Sequence, residues 1–359
     1  MKKAVSVLLS LLLILSVFSA FSFTANATKY KTGDIIEFGS YPQTDVTDSL
    51  GNILNTQSGN WKSFNYNHYG IGAKDYSDYM RYIDVFYNGT KYRGIIFDEY
   101  RVNPIFFPNG IPQEENGYSK GCTYWFKYEP LKWRVLDAKE GLVHCDSVID
   151  SQPFNDYVVY DSEKYGNNLD SFSNDEKTIA ANDYANCSLR KWLNGYFYNT
   201  AFTNEEKEDI LISNVNPDAF TYLVSYDYNY LQSSDKVCLL SFEDVHNKNY
   251  GFPRDSYSST TRKRNATEYA MCQGVELSNY NKKTAYWWLC DFDGITSDGV
   301  CFVRGEGNCD DAVESAFRPY IGVCPALRLQ SLSQSNQLNL FQTIIQWFKD
   351  LFEKIFVIH

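Results

Sequence analysis

Residues 286–289 read Tyr-Trp-Trp-Leu, and residues 322–327 read Gly-Val-Cys-Pro-Ala-Leu. Both runs are apolar along almost their whole length, which is typical of strands buried on both faces of a sheet. We expect them to form neighbouring inner strands near the end of the fold. The apolar runs at 236–240, 299–303 and 325–329 predict further buried strands.

The first half of the chain carries strand signals of a different kind, with alternating or β-branched and aromatic residues. Four runs have this character, at residues 34–38, 91–97, 131–136 and 142–144. A helix is predicted over 185–197 with Ser188 as its N-cap. A second helix begins at the capping box Thr203-Asn-Glu-Glu206, with Ile210 and Leu211 as its apolar face. Strands, then two helices, then strands indicate the α+β class.

The composition excludes some classes of function. The chain has 359 residues, with 33 lysines and arginines against 44 aspartates and glutamates, and a formal net charge of −11. Such a charge repels a phosphate backbone, so nucleic acid is not an expected partner. Aromatic residues make up 17% of the chain and charged residues 21%. This balance is typical of extracellular domains that present aromatic rings to ligands.

The two ends of the chain differ from the middle. Residues 1–27 combine two lysines, a long apolar run and an Ala-Asn-Ala cleavage site, the pattern of a signal peptide. Residues 331–337 form a polar linker, and 338–359 place apolar residues at helical spacing, which predicts an amphipathic helix. Its apolar face would be buried against its own domain, a partner or second copy, or a membrane interface. We expect a secreted protein with one domain over 28–330. If the helix binds a membrane interface, the protein would be associated with the cell envelope.

Several motifs together resemble a family of secreted, uncharacterised bacterial domains common in clostridial genomes. They are Phe38-Gly-Ser-Tyr-Pro-Gln43, Ser188-Leu-Arg-Lys-Trp-Leu-Asn194 with Thr200-Ala-Phe-Thr203, Asp235-Lys-Val-Cys-Leu-Leu-Ser241, and the closing runs at 286–289 and 322–327. The resemblance covers roughly residues 30–330. The closing runs are also similar to the end of C-type-lectin-like domains of the formylglycine-generating-enzyme type. That likeness implies a small twisted antiparallel sheet, two helices, an N-terminal insertion, and long loops that carry the binding surface.

Some motif residues are expected to have structural roles. Arg190, Trp192 and Asn194 would fasten the first helix to the core, with Trp192 buried and Arg190 paired. Trp287 and Trp288 would lie in the inner strand. These residue types in apolar surroundings are explained by packing, so no ligand contact is assigned to them.

Two cysteines replace arginines that the resembled family usually carries at the same places, Cys290 and Cys324. The replacement suggests that the two strands are joined or packed through sulfur, with Cys290 and Cys324 near one another. Enzymes of the formylglycine-generating type hold copper on a cysteine pair, and Cys301 with Cys309, or Cys290 with Cys324, would be that pair in an oxidase. Two or fewer disulfides are expected among the nine cysteines, which include no Cys-x-x-Cys motif.

An acidic loop follows the Tyr-Trp-Trp-Leu run, Asp291-Phe-Asp-Gly-Ile-Thr-Ser-Asp298. It places carboxylates around a glycine turn, somewhat as a calcium loop does. It lacks the bidentate glutamate that closes an EF-hand. Asp291, Asp293 and Asp298 are the candidate calcium ligands, and calcium is the one cofactor that the sequence suggests. An ordinary solvated loop is the alternative.

The strongest functional pattern is aromatic. The residues that form it in one run are Tyr222, Tyr226, Tyr228 and Tyr230. Flat rings beside carboxylates and amides bind sugars and protein epitopes, because the ring covers an apolar face while the polar groups bind hydroxyls. We expect this cluster, together with Asp291 and Asp293, to contact a ligand.

These patterns favour an exported, non-catalytic recognition module that binds a glycan or an extracellular protein through aromatic-rich loops. No catalytic residue is assigned, because the four histidines stand in no metal-ligand or triad spacing. Two alternatives remain open. One is an oxidase of the formylglycine-generating type or another extracellular enzyme, and the other is a structural component of the envelope.

Overall fold

The computed structural model shows a mixed α+β protein with mainly antiparallel sheets and few helices. The predicted α+β class is therefore confirmed. The predicted signal peptide, most of the linker and the predicted C-terminal helix lie outside the described residues. The structure describes residues 30–57, 59–64, 79–101, 110–156, 171–174, 177–219, 231–254, 257–296, 298–309, 312–330 and 332.

The two longest strands, with 11 and 15 residues, pair with each other. The strands in chain order are β1 (Ile35–Asp45), β2 (Lys62–Ser63), β3 (Met80–Tyr87), β4 (Thr90–Phe97), β5 (Thr123–Asp137), β6 (Leu142–Cys145), β7 (Ser147–Val148), β8 (Asp150–Ser151), β9 (Ser171–Asn174), β10 (Lys177–Ala180), β11 (Ile210–Leu211), β12 (Ser213–Val215), β13 (Ser233–Asp235), β14 (Asn265–Ala266), β15 (Trp287–Phe292), β16 (Gly299–Val303), β17 (Val313–Ser315), β18 (Gly322–Val323) and β19 (Ala326–Leu329).

The α-helices are short. They are α1 (Thr47–Leu54), α2 (Pro112–Glu115), α3 (Ser188–Trp192), α4 (Tyr198–Ala201), α5 (Asn204–Asp209) and α6 (Glu268–Cys272). A π-helical turn, Leu193–Phe197, joins α3 to α4. None of the helices that the structure describes has the length and apolar character needed to cross a membrane.

The larger sheet has eight strands in the order β11-β19-β6-β5-β4-β3-β2, with β1 paired to β5 outside this path. Its strand pairs are antiparallel. In β5, the buried residues Leu131, Trp133 and Val135 alternate with more exposed ones, so one face of the strand packs on the core. The four strands predicted in the first half of the chain are confirmed as parts of β1, β4, β5 and β6.

The smaller main sheet has five strands in the order β17-β16-β15-β18-β8. β15 and β16 are buried along their full length, which confirms the strands predicted at 286–289 and 299–303. Trp287 and Trp288 are fully buried, and their indole nitrogens donate to the carbonyl oxygens of Arg262 and Gln152. Such partners are what a buried indole N–H requires.

Residues 322–327 cross from the smaller sheet to the larger one. Gly322 lies opposite Trp287 in a parallel pair, as expected for neighbouring strands. The chain then leaves this sheet, and Ala326 starts β19 in the larger sheet, so the expectation that the whole run lies beside 286–289 is wrong for its second half. At the crossing, Ala326 exchanges two backbone hydrogen bonds of 2.8 and 2.9 Å with Cys238. The strand predicted at 236–240 is reduced to this one bridge.

Both sheets contribute to one continuous cluster of buried apolar side chains. Trp133 and Val143 represent the larger sheet in it, and Trp287 and Val303 the smaller one. A second, small cluster lies around Trp125 under α1. The small single sheet implied by the lectin-like resemblance is therefore not what forms, because the first part of the chain adds long strands to the core.

The Phe-Gly-Ser-Tyr-Pro-Gln motif bends β1 around α5. The register of β1 against β5 shifts between Glu37 and Ser40, and Gly39 between them has φ +69°. A Cβ on Gly39 would lie 2.5 Å from the Phe202 ring, so both space and backbone conformation require glycine. The Gly39 N–H donates to Glu206 Oε1 at 2.9 Å. Glu206 also completes the predicted capping box of α5, which is confirmed.

The predicted helix over 185–197 forms as a chain of short helical turns that continues to Ala201. Its N-cap is Cys187, whose Sγ accepts from the Arg190 N–H at 3.3 Å, so Ser188 as the cap was wrong. Ile210 and Leu211 lie in β11 and not on a helix. Trp192 is half-buried instead of fully buried, and its ring stacks on that of Phe197 with centroids 5.5 Å apart.

The helical segment is joined to residues 235–237 by specific polar contacts. Arg190 Nε donates to Asp235 Oδ1 at 2.7 Å, the expected pairing. Asn194 Nδ2 donates to the Val237 carbonyl at 2.9 Å, and Asn194 Oδ1 accepts from the Lys236 N–H at 2.8 Å. Two motifs about forty residues apart in sequence are thus one structural unit, because each satisfies polar groups of the other.

We expect Asn194→Ala to destabilise the fold by about 2–4 kcal/mol, because it leaves backbone groups of Lys236 and Val237 without a partner. Urea unfolding followed by circular dichroism measures this loss. Asn199→Ala is the matched control, since Asn199 lies exposed on the following helix, and it should cost less than about 0.5 kcal/mol. Equal losses in the two variants would contradict the assigned role.

Candidate functional site

An open groove of about 610 Å³ lies among the described residues. Its lining comes from one stretch of chain and consists of Phe242, Glu243, His246, Asn247, Lys248, Asn249 and Arg254. Two 3₁₀ turns, Asp244–His246 and Lys248–Tyr250, shape this stretch. Asn247 holds the second turn, because its Oδ1 accepts from the Asn249 N–H at 3.0 Å.

An aromatic pair lies in the groove. The rings of Phe242 and His246 have centroids 4.2 Å apart and planes tilted by 36°. His246 Nδ1 lies 2.8 Å from the Phe242 carbonyl oxygen, which only accepts, so Nδ1 carries a proton. In the neutral ring Nε2 is then an acceptor, and it lies 3.8 Å from Cys309 Sγ.

The groove is surrounded by polar side chains with an excess of positive charge. Lys248 and Arg254 oppose the single carboxylate of Glu243, and all three are exposed. In a chain with a formal net charge of −11, this is a local reversal of sign. Asn247 and Asn249 add amide donors and acceptors. The groove can therefore bind polar groups and favours a negative one.

The buried carboxylate of Asp291 binds the backbone of Phe242, one of the residues that line the groove. Its Oδ1 accepts from the Asp218 N–H at 2.8 Å and its Oδ2 accepts from the Phe242 N–H. Burial raises the pKa of this carboxyl to about 6. Both oxygens of Asp291 thus bind backbone groups, and the side chain is 3% exposed. Its position supports the groove, but the structure gives it no surface for the ligand contact predicted from the sequence.

Asp293 has a similar local role. Its Oδ1 accepts from the Ile295 and Thr296 N–H groups at 2.9 Å each, and its Oδ2 accepts from the Thr296 hydroxyl at 3.0 Å. Among the described residues, no three His, Cys, Asp or Glu side chains are placed to hold a metal ion together. The carboxylate of Asp293 binds its own loop and that of Asp291 binds the backbone of Asp218 and Phe242, so calcium binding by Asp291, Asp293 and Asp298 stays a prediction.

The predicted tyrosine cluster cannot be compared with the groove. Tyr222, Tyr226, Tyr228 and Tyr230 all lie outside the described residues. The prediction that they contact a ligand stays a prediction. The described chain resumes at Leu231 and leads through residues 235–241 directly to the groove.

The two cysteines that replace arginines do not join the closing strands. All nine cysteines lie in the described residues, and none forms a disulfide. Cys324 Sγ contacts the Cys145 carbonyl oxygen at 3.1 Å, at the crossing between the sheets. Cys290 Sγ contacts Asp291 Oδ1 at 3.9 Å. The expected sulfur link between Cys290 and Cys324 is wrong, because each thiol packs against different neighbours.

Burial makes most of the thiols poor nucleophiles. It raises the pKa of Cys145, Cys187 and Cys238 to about 12 each. It raises the pKa of Cys290 and Cys324 well above the usual range. The thiolate is the reactive form and the copper ligand, so burial disfavours the form that an oxidase would need. The structure thus supplies no reactive pair at 290 and 324.

The groove residues were missed by reasoning from the sequence. The run Asn247-Lys-Asn-Tyr-Gly251 signals a turn-rich loop, and Gly251 indeed adopts φ +82°. Nothing in the sequence places Phe242 and Arg254 on the same cavity, since that depends on the contact of Phe242 with Asp291.

Residues 155–331 match the model of a family described as a domain of unknown function (DUF6273). No curated protein and no solved structure gives a significant match. The matched part contains the groove and every closing strand from β15 to β19. Over this part the chain is similar to an uncharacterised domain family, and the motif at 38–43 lies upstream of it.

We expect an aromatic disulfide reagent at about pH 8 to titrate one thiol in the native protein, that of Cys122, the exposed cysteine. The other eight should react only after unfolding, because they are buried. Absorbance at the start and after addition of guanidinium chloride measures both numbers. A Cys122→Ser variant is the control and should show no fast phase. Any fast thiol in that variant would contradict the buried assignment of the other eight.

Proposed function

We propose that the protein is an exported, non-catalytic recognition module that binds an anionic glycan in the groove lined by residues 242–254. The observation that carries the proposal is the composition of the groove, where an aromatic pair lies beside amides and two cationic side chains. An open cavity of about 610 Å³ has room for two or three sugar rings, within the range of about 300–1,000 Å³ typical of ligand sites.

The chemistry of each side chain fits a part of such a ligand. The Phe242 and His246 rings offer an apolar surface of the kind that covers the C–H face of a sugar. Asn247 and Asn249 can donate to and accept from hydroxyl groups. Lys248 and Arg254 would pair with a carboxylate or phosphate substituent, which the strongly negative remainder of the chain would repel elsewhere.

The proposal also includes the export of the protein and the type of scaffold that carries the groove. The signal-like residues 1–27 support secretion, and the amphipathic pattern of 338–359 supports self-association or attachment to an envelope surface. We further propose that the closing region is a divergent C-type-lectin-like scaffold of the formylglycine-generating-enzyme type. Support comes from the parallel pairing of Trp287 with Gly322, which joins the two runs that carry the resemblance.

A second candidate is a thiol-dependent enzyme, favoured by one observation. His246 is oriented by the Phe242 carbonyl and directs Nε2 toward Cys309, an arrangement that can activate a thiol. Against it, Cys309 is 1% exposed, so a substrate in the groove would meet the imidazole and not the sulfur. Alkylation of Cys309 ahead of Cys122 in the native protein, located by peptide mass spectrometry, would favour this candidate.

We expect the double variant Lys248→Gln/Arg254→Gln to weaken binding of oligogalacturonate at least about tenfold, because charge-assisted hydrogen bonds contribute about 1.5–3 kcal/mol each. Isothermal titration calorimetry of the mature protein measures the affinity. Arg81→Gln/Lys120→Gln removes the same charge from two exposed surface ion pairs and serves as the control.

Binding of a neutral oligosaccharide such as cellohexaose should be weaker than binding of the acidic one and unchanged in both variants. If the wild-type protein binds neither sugar, and a wider glycan array is also negative, the recognition proposal fails and a structural envelope role is favoured. If both variants lose affinity equally, the groove is not the site.

A further inference from the structure

A second cavity, of about 190 Å³, lies where the two sheets meet. Its lining brings together residues from five segments that are distant in sequence, namely Leu142, Ser213, Asn214, Val215, Asn216, Cys238, Leu239, Leu240, Ser241, Asp244, Cys290 and Arg328. The cavity is separate from the groove, although the turn at 241–246 contributes to both. It is smaller than the cavities of about 300–1,000 Å³ that hold drug-sized ligands.

The cavity has one acidic and one basic side chain in its lining, Asp244 and Arg328. Asp244 Oδ2 accepts from the Ser241 N–H at 2.9 Å, while no donor among the described residues binds its Oδ1. Arg328 Nη1 contacts the backbone and side chain of Glu140 at 3.2 and 3.4 Å. Nε and Nη2 of Arg328 have no acceptor within the described part of the chain. Both charges therefore keep bonding capacity for a ligand.

Both charges line the same cavity as the Cys238 thiol. The pKa of this thiol is raised to about 12, mainly by burial and also by Asp235 and Asp244, while Arg328 lowers it. Asp244 and Arg328 therefore both act electrostatically on a group in the cavity lining.

A buried hydroxyl in the same cavity has no satisfactory partner. Ser213 is 5% exposed, and its Oγ has no nitrogen or oxygen partner among the described residues. The thiol of Cys238, a weak hydrogen-bonding group, lies beside it. An unsatisfied buried hydroxyl costs about 1–3 kcal/mol, which a polar ligand would recover. This points to an occupant that Ser213 contacts.

We propose that this cavity binds a small zwitterion of the free α-amino-acid type, with its carboxylate on Arg328 and its ammonium group on Asp244. A zwitterion can contact both charged side chains of the lining, whereas a singly charged ligand can be attracted by only one of them. The hydroxyl of Ser213 and the amides of Asn214 and Asn216 provide further polar contacts. The wall of Leu142, Val215 and Leu240 favours a short aliphatic side chain.

The proposal is independent of the glycan groove, because the cavity shares no lining residue with it. Free amino acids are present wherever cell-wall peptides or proteins are degraded, so an exported protein would meet them. A free amino acid carries both charged groups on the same carbon atom, Cα, which distinguishes it from a chain terminus of a peptide, where only one charge is present.

Calorimetric titration and thermal shift with glycine, L-alanine and L-serine test the proposal on the mature protein. We expect at least one of them to bind and to raise Tm. N-acetyl-L-alanine and L-alaninamide, which each lack one charge, should bind at least about tenfold more weakly. Alanyl-alanine, whose charges are far apart, should behave like the blocked forms.

Three variants locate the site. Arg328→Gln and Asp244→Asn should each weaken binding at least about tenfold, and Ser213→Ala about threefold to tenfold. Arg134→Gln and Asp98→Asn change the charge equally at surface ion pairs and should bind as the wild type does. The Tm of each variant without ligand shows whether it folds. If the two charge variants do not fold, the binding affinity of Ser213→Ala tests the proposal.

Three results would overturn the proposal. The first is the absence of any heat or Tm shift with all three amino acids at millimolar concentration. The second is equal binding of the zwitterions and the blocked forms. The third is unchanged binding in Ser213→Ala together with Arg328→Gln. A positive or negative result for glycan binding in the groove affects none of these outcomes, since the probes and the variants differ.

Discussion

The structure depends on a short segment that belongs to two sheets at once. Residues 322–327 pair with Tyr286 and Ile149 at one end and with Cys238 at the other. Beside the crossing, His144 Nε2 donates to the Cys324 carbonyl at 3.2 Å, while its Nδ1 accepts from Arg264. Burial, and then Arg264, hold the pKa of His144 well below its usual range, so the ring stays neutral. Backbone and side-chain hydrogen bonds thus link the crossing to both sheets, which share one core.

This crossing sets where the groove and the smaller cavity lie. Ala326 fixes Cys238, and the chain then runs through residues 239–241 into the turn that lines both the groove and the smaller cavity. The closing strands also need the first part of the chain, since β18 pairs with β8 and β19 pairs with β6. Residues 155–331 alone would therefore leave two sheet edges without partners, which is costly for a buried edge. The position of the groove thus depends on strands outside the matched family region.

The sequence predicts the individual strands and helix caps of this protein better than it predicts which of them contact one another. The strands at 91–97 and 299–303 and the capping box at Thr203 follow from local pattern, because periodicity and caps are local properties. Local pattern does not predict which sheet residues 325–329 join, since a buried apolar run is compatible with either sheet. Local pattern also does not predict the contacts of the candidate site. Asp291 lies in an acidic loop that resembles a calcium loop, yet its oxygens accept hydrogen bonds from backbone groups of two distant loops. Only the folded chain shows these contacts.

The central claim is that the crossing makes the two sheets one cooperative unit. Native-state hydrogen exchange tests it most directly, through the backbone amides of Gly322 and Trp287 in the smaller sheet and of Cys145 and Ala326 at the larger one. The account predicts that these amides exchange with the same free energy, equal to that of global unfolding by denaturant. Exchange of the smaller-sheet amides through an opening that leaves the larger sheet protected would contradict it.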